Sequence, residues 1–249
     1  MKYLILILTY PVICFSQING KITYKKQNLN YYTNSPKGQK LEKVDPYTFK
    51  KWKEIDDNVK LLLKEMTFQL NFNNNESIFR VKEFLEVENK QYYYFALGPD
   101  GSGVYYNNIN TKENLVALEA YGQRFLINNP QIKWSLTKET KTINGFLCYK
   151  ATTIKSIMGR KGTIKMPIIA WYAPKLPISF GPLGYRGLPG LIFDLTIGDT
   201  RYYVEKIKLN PKKKIVIKKP IEGKLVSKDE FEAIGLQSIG KMQNMLNKN

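Results

Sequence analysis

The chain has 249 residues, 43% of them hydrophobic and 24% charged, with a formal net charge of +18. That balance excludes wholesale disorder and leaves enough apolar material for a globular core. Histidine is absent, which excludes Ser-His-Asp and Cys-His triads, imidazole bases and nearly every zinc site that needs nitrogen ligands.

A field this positive favours anionic partners such as lipid headgroups, acidic glycans or nucleic acid. Lysine supplies most of it alongside many asparagines and isoleucines, a bias that genome composition also produces. No recognition helix or aromatic RNA-binding signature appears, so nucleic acid is not an expected partner.

Residues 1–16 read as a cleaved signal peptide. Lys2 supplies the positive start, YLILILTYPVIC is an apolar run too short to span a bilayer, and Cys14 and Ser16 fit the cleavage positions. The rival reading, lipidation of Cys14, lacks the small residue that normally precedes such a cysteine. Residues 17–249 are then expected to form one exported β-rich domain with no transmembrane span. Cys148 would be its lone cysteine, which allows no intramolecular disulfide and no cysteine-held zinc or iron–sulfur centre. A buried, inert thiol is the plain expectation there. No cofactor and no metal site are expected.

KITYKK at 21–26 alternates as an opening strand. Residues 28–43 are polar and broken by Pro36 and Gly38, which predicts a loop. Asp45-Pro46 starts a helix with Asp as cap and Pro at the first helical position. Its apolar face runs through Phe49, Trp52, Ile55, Val59, Leu62, Leu63 and Met66. The period changes at MTFQLNF, where Phe68, Leu70 and Phe72 alternate, Asn73–Asn75 turn and SIFRVKEF returns as a hairpin. QYYYFALG and GVYYNNI predict further strands about a Pro99-Asp100-Gly101 turn.

LVALEAY, RFLI, KWSLTKETKTI, FLCYKATTI and IIAWYAP continue the series of short strands. NPKKKIVIKKP reads as a basic strand between Pro211 and Pro220. It is either an electrostatic patch or, preferably, an edge strand whose lysines guard against aggregation. Ser227 and Glu230 form a capping box opening an amphipathic helix through Phe231, Ile234, Ile239 and Met242. The predicted class is mainly β, or α+β: an antiparallel sheet with a helix towards each end.

PISFGPLGYRGLPGLIFDL, residues 177–195, concentrates prolines and glycines. A phosphate loop would need Gly-Lys-Ser/Thr and a following helix, whereas Leu191, Phe193, Leu195 and Ile197 alternate as a strand. Leu188-Pro189-Gly190-Leu191 fits a type II turn, with Pro second and Gly third. The stretch therefore predicts a stiff loop that is either scaffold or the wall of a pocket.

RGLPGLIFDL resembles the signature of the GLPGLI family, exported proteins of Gram-negative bacteria. Gly187, Leu188, Pro189, Gly190, Leu191 and Ile192 match the hexapeptide without a gap. FQLNFNNNESIF, the block from Trp134 to Ala151, and AWYAPKLPISFGP extend the likeness, with Phe146 where the family pattern suggests tyrosine. The resemblance implies an envelope protein and carries over no catalytic residues. In outline the order of elements is also similar to that of periplasmic lipoprotein carriers. That analogy implies a curved, half-barrel-like sheet with an apolar concavity.

Three functions compete. A periplasmic binding or carrier protein would take an apolar or anionic ligand, lipid included. Its candidate contacts are Trp171, Tyr172, Arg186 and Phe193, each of which has plain core or loop support as its alternative role. Arg186 stands out because a guanidinium can fork onto a phosphate or carboxylate. A structural or assembly subunit would pair with an envelope protein. A carboxylate hydrolase would use Asp194, Asp199 or Glu139, although residues 194 and 199 face opposite sides of a regular strand. The expectation is a non-enzymatic binding protein.

Overall fold

Period-two patterning carries most of this chain into one sheet. In the computed structural model, which describes residues 18–82, 90–159 and 162–246, twelve strands join in a single open sheet. The expected leader, with Cys14, lies outside the described residues.

The strands are β1 (Gly20–Asn28), β2 (Phe68–Phe72), β3 (Glu76–Val81), β4 (Val104–Asn108), β5 (Asn114–Ala120), β6 (Gln123–Asn128), β7 (Ser135–Ile143), β8 (Phe146–Gly159), β9 (Gly162–Ala173), β10 (Leu191–Ile197), β11 (Thr200–Leu209) and β12 (Lys224–Ser227). Their spatial order is β12-β6-β5-β4-β3-β2-β1-β11-β10-β9-β8-β7. Neighbours pair antiparallel except β12, which runs parallel to β6. The sheet is therefore mixed, with the expected antiparallel pairing everywhere but at that edge.

Alternation sets the two faces. The inner face carries Tyr24, Phe68, Leu70, Phe79, Tyr105, Val116, Ile127, Ile168, Leu195 and Tyr202, all buried. Phe68 stacks on Phe79 at 5.8 Å, and Tyr202 meets both rings edge-on. Such pairs add to the stabilisation from area burial alone.

Helix α1 (Pro36–Val44) occupies part of the predicted loop. Pro36 and Gly38 suggest breaks, yet Pro at the first helical position starts a helix, and Ser35 caps it by accepting from the Gly38 amide. Glycine is required at 38 because a Cβ there would lie 2.2 Å from the Tyr32 carbonyl oxygen. Helix α2 (Pro46–Glu65) begins as predicted, with the Asp45 carboxylate accepting from Thr48 N at 3.0 Å.

The predicted strand QYYYFALG is instead helix α3 (Lys90–Gly101), broken at Gly98, where φ is 63°. Tertiary contacts override the aromatic strand preference. Ala96 and Leu97 are buried, and the Tyr92 hydroxyl donates to Glu54 on α2 at 2.7 Å. The buried Lys26 ammonium donates to the Ala96 and Leu97 carbonyls at 2.7 and 2.8 Å, closing the end of the unbroken helical part.

TRYYVEKIKL forms β11 although its pattern was not assigned above. NPKKKIVIKKP is not a strand: residues 211–222 form neither helix nor strand, bend at Lys212 and Lys213, and have no backbone–backbone hydrogen bond among the described residues. Helix α4 (Lys228–Leu246) opens with the expected capping box, Ser227 N donating to Glu230 Oε2 at 2.7 Å and Glu230 N to Ser227 Oγ at 3.2 Å. The side chain of Met242 lies outside what is described.

Residues 174–190 leave β9 and fold back into the sheet's concavity before entering β10. Ile178, Phe180, Leu183 and Leu188 are buried there, and a short 3₁₀ turn at Pro182–Gly184 lies against β3, β4 and β5. Gly190 is not in the positive-φ region, so the type II turn is not formed. Its requirement is space: a Cβ would sit 2.3 Å from the Ala173 carbonyl oxygen. Gly187 has φ of 90° with open space around the missing Cβ.

These two glycines should respond differently to alanine. Gly190→Ala must push backbone from backbone and is expected to destabilise by about 3 kcal/mol or more, whereas Gly187→Ala, strained only in φ, should cost about 1–2 kcal/mol. Urea unfolding of both variants checks the order; equal losses would contradict the close approach at Gly190.

Candidate functional site

An open sheet that curves far enough brings its two ends near each other, and here three polar contacts join them. Lys155 on β8 pairs with Asp100, just before β4, at 2.9 Å. Lys228 at the start of α4 donates to the Ser156 carbonyl at 3.0 Å, and Glu232 accepts from Met158 N at 2.8 Å. Phe231 of α4 packs edge-on to Phe125 at 5.2 Å, fixing the helix to the β6 side. Helix α4 thus bridges the β6–β12 end to β8.

Between these ends lies a cavity of about 710 Å³. Its sheet walls carry Val116, Ile127, Ile157, Met166 and Ile168, with Phe231 above and Leu183, Gly184 and Tyr185 of the inserted loop below. The paired register explains the convergence: Val116 stands opposite Ile127, Lys155 opposite Met166 and Ile157 opposite Ile164, all directed inward. The lining is otherwise largely apolar and carries three lysines and two acids: Lys155 is paired with Asp100 and Lys228 with Glu232 at 3.7 Å, so Lys133 is the lining cation with no carboxylate partner among the described ion pairs. The Tyr185 hydroxyl is pushed to a higher pKa by burial, so it stays neutral and polar.

None of Trp171, Tyr172, Arg186 and Phe193 lines this cavity. Trp171 and Tyr172 are consecutive on β9 and so face opposite sides. Trp171 lies half-buried beneath the Lys141 ammonium, 4.2 Å from its ring centre. Tyr172 is buried 6.1 Å from the Tyr149 ring. Phe193 is fully buried at the β9–β10 bulge and packs on Phe146 at 5.0 Å.

Arg186 directs its guanidinium at two backbone carbonyls, Asn108 at 2.9 Å and Lys112 at 2.7 Å, in the connection between β4 and β5. Its own carbonyl accepts the Trp134 indole N–H at 2.9 Å. Within the signature, Leu188, Gly190, Leu191 and Ile192 are buried while Gly187 and Pro189 reach the surface. The Ile192 carbonyl accepts the buried Tyr24 hydroxyl at 2.7 Å.

The three carboxylates considered for hydrolysis do not meet one another. Asp194 is bound by Arg201 at 2.8 Å and Lys141 at 3.1 Å, Glu139 by Lys150 at 2.9 Å, and Asp199 by Asn30 at 2.6 Å. The Asp194 carboxylate holds the Arg201 guanidinium above its ordinary pKa. Cys148 is free and buried, its thiol pushed up to about 11 chiefly by burial, which makes it inert at neutral pH. No group of three or more metal-ligating side chains occurs among the described residues.

The cavity residues from β5, β6, β8 and α4 were missed by sequence reasoning. Strand parity marks them as inward-facing, but nothing in the local pattern says that β8 and β6 face each other across a gap.

The family model described as a protein of unknown function (Porph_ging) matches residues 158–194, from the end of β8 through the inserted loop into β10. No curated protein matches the chain. Two solved structures of PNGF-II are similar to it. The form in space group P21 has 14% identity and a TM-score of 0.43, and the form in C2 has 15% and 0.42. Each likeness covers 86% of this chain and 31% of the other, so the chain spans about a third of that protein's length.

Two buried cations outside the cavity give direct tests. Arg186→Met leaves two carbonyls without a charged donor and is expected to destabilise by about 2–3 kcal/mol, with Arg186→Lys failing to restore the fork. Full stability of Arg186→Met in urea would show that these bonds hold nothing. Burial lowers the Lys26 pKa to about 8 from its ordinary 10.5, with Asp100 offsetting part of that cost. Between those values the unfolded chain binds a proton the folded chain has released, so this group's contribution to stability rises with pH. Compared with Lys26→Met, the native protein should gain stability from pH 8 to pH 10; a pH-independent difference would contradict the buried ammonium.

Proposed function

We propose that this chain is an exported, GLPGLI-type protein of a Gram-negative envelope that binds or carries an apolar, anionic ligand without chemically altering it. The cavity between the ends of the curved sheet carries this reading. Its volume of about 710 Å³ falls within the roughly 300–1,000 Å³ typical of small-molecule sites. An acyl chain against Val116, Ile127, Met166 and Ile168 would leave water, while Lys133 would meet an acidic end.

The leader pattern at residues 1–16 and the gapless hexapeptide at residues 187–192 support the envelope setting. In this reading the inserted loop serves two purposes. Leu183 and Tyr185 wall the cavity, while Arg186 and the hexapeptide hold that wall in place.

The test is native mass spectrometry of the chain purified from its own envelope without detergent. A mass excess that yields a fatty acid or lipid on extraction is expected. Ile157→Trp, which projects an indole into the cavity, should abolish that excess while leaving the unfolding midpoint nearly unchanged. A clean polypeptide mass for the native chain would remove the carrier reading in favour of a scaffold.

A further inference from the structure

We propose that the extended segment from Asn210 to Gly223, with the outer face of the sheet beneath it, docks on an anionic lipid surface. The observation is a juxtaposition of charge, exposed aliphatic side chains and unpaired backbone in one strap, separate from the inner cavity.

The strap must connect β11 to β12 at the far end of the sheet, past six intervening strands. Seven strand spacings make about 34 Å, whereas a fourteen-residue helix reaches only about 21 Å. The connection is accordingly extended and crosses the outer face. Together with Asn71, Ile78, Arg80, Val104 and Ala117 it encloses a groove of about 770 Å³. Ile215 is its buried anchor, and ion pairs from Lys219 to Glu113 and from Arg124 to Glu222 tether it.

Residues 210–227 contain six lysines and one acidic residue, Glu222. Lys212, Lys213, Lys214, Lys218, Lys219 and Lys224 are all exposed. Of these, only Lys219 has a carboxylate partner among the described ion pairs. Arg80 adds an exposed cation from β3, and Glu119 and the tethering Glu222 and Glu113 are the acids facing the strap. The local field is therefore positive, and lysines near an anionic leaflet each strengthen adsorption about fivefold.

Charge alone would suit any polyanion. The aliphatic side chains narrow the choice. Val216, Ile221 and Leu225 are 69%, 80% and 68% exposed, interleaved with those lysines. Such residues gain from entering the boundary between headgroups and acyl chains, which a soluble acidic polymer cannot offer. The unpaired backbone of residues 211–222 limits the depth. Its N–H and C=O groups need polar partners, so the strap rests among headgroups while only its side chains reach further.

The test is co-sedimentation of the chain from Gln17 onward, without the apolar leader, with vesicles of phosphatidylcholine alone or mixed equally with phosphatidylglycerol. Binding is expected only to the mixed vesicles and should weaken with salt. Replacing Lys212, Lys213 and Lys214 together by Gln should lower affinity by about a hundredfold. The charge-matched control, Lys43, Lys50 and Lys53 to Gln on α1 and α2, should lower it by less than about threefold. Ile221→Cys carrying an environment-sensitive fluorophore should shift to the blue on mixed vesicles; Cys14 is absent from the chain that starts at Gln17, and the buried Cys148 does not compete for label.

Equal losses in the two triple variants would assign adsorption to net charge and overturn the strap. No binding to mixed vesicles, or retention by soluble polyglutamate with no blue shift on lipid, would overturn it as well. The strap's exposed side chains support no core packing, so unchanged circular dichroism of the variants confirms that the comparison is between folded proteins.

Discussion

A twelve-stranded sheet that curves without closing must fill an interior too wide for its own side chains. The inserted loop at residues 174–190 meets that constraint, and much else depends on it. It delivers Ile178, Phe180, Leu183 and Leu188 to the inner face. It can return into β10 only because Gly190 lacks a Cβ and clears the Ala173 carbonyl. The backbone specialists are thus explained by geometry: Gly187 and Gly184 supply positive φ, and Gly190 supplies room.

The loop does not fill the whole concavity. The unfilled part lies where the two ends of the sheet approach each other under α4. There the Lys155–Asp100 pair and the contacts of Lys228 and Glu232 hold the walls together. Each is partly exposed, and surface pairs of this kind contribute little individually. Their value is positional, because they set the distance between walls that belong to distant strands. A ligand that fits this gap would be recognised by shape and desolvation, since two of the three lining lysines are already paired with lining carboxylates.

The outer face behaves differently. Asp194 is buried there between Arg201 and Lys141, with Trp171 beneath the lysine. Removing one partner from such a cluster leaves a desolvated charge, so its role is to fix the β9–β10–β11 region. Farther along the same face the strap is the opposite case, rich in unpaired cations and exposed aliphatic groups. One protein therefore separates a closed electrostatic cluster from an open cationic surface.

Local patterns sufficed for much of the fold. Alternation identified most strands, and Asp45-Pro46 and Ser227–Glu230 marked two helix starts, because caps and parity act over a few residues. The hydrophobic hexapeptide was legible as a rigid loop entering a strand. Its turn type was not, because Gly190 answers to Ala173, seventeen positions away. Likewise α3 forms from a strand-prone sequence through burial of Ala96 and Leu97 and its contact with α2. The Lys-rich strap was legible as a basic segment, but its lack of strand pairing was not. The cavity was hidden for a further reason. The sequence by itself determined which side chains face inward, since that follows from a two-residue period. Only the tertiary structure decided that β5 and β6 face β8 and β9 across a gap, because sheet curvature and the packing of α4 are summed over the whole chain.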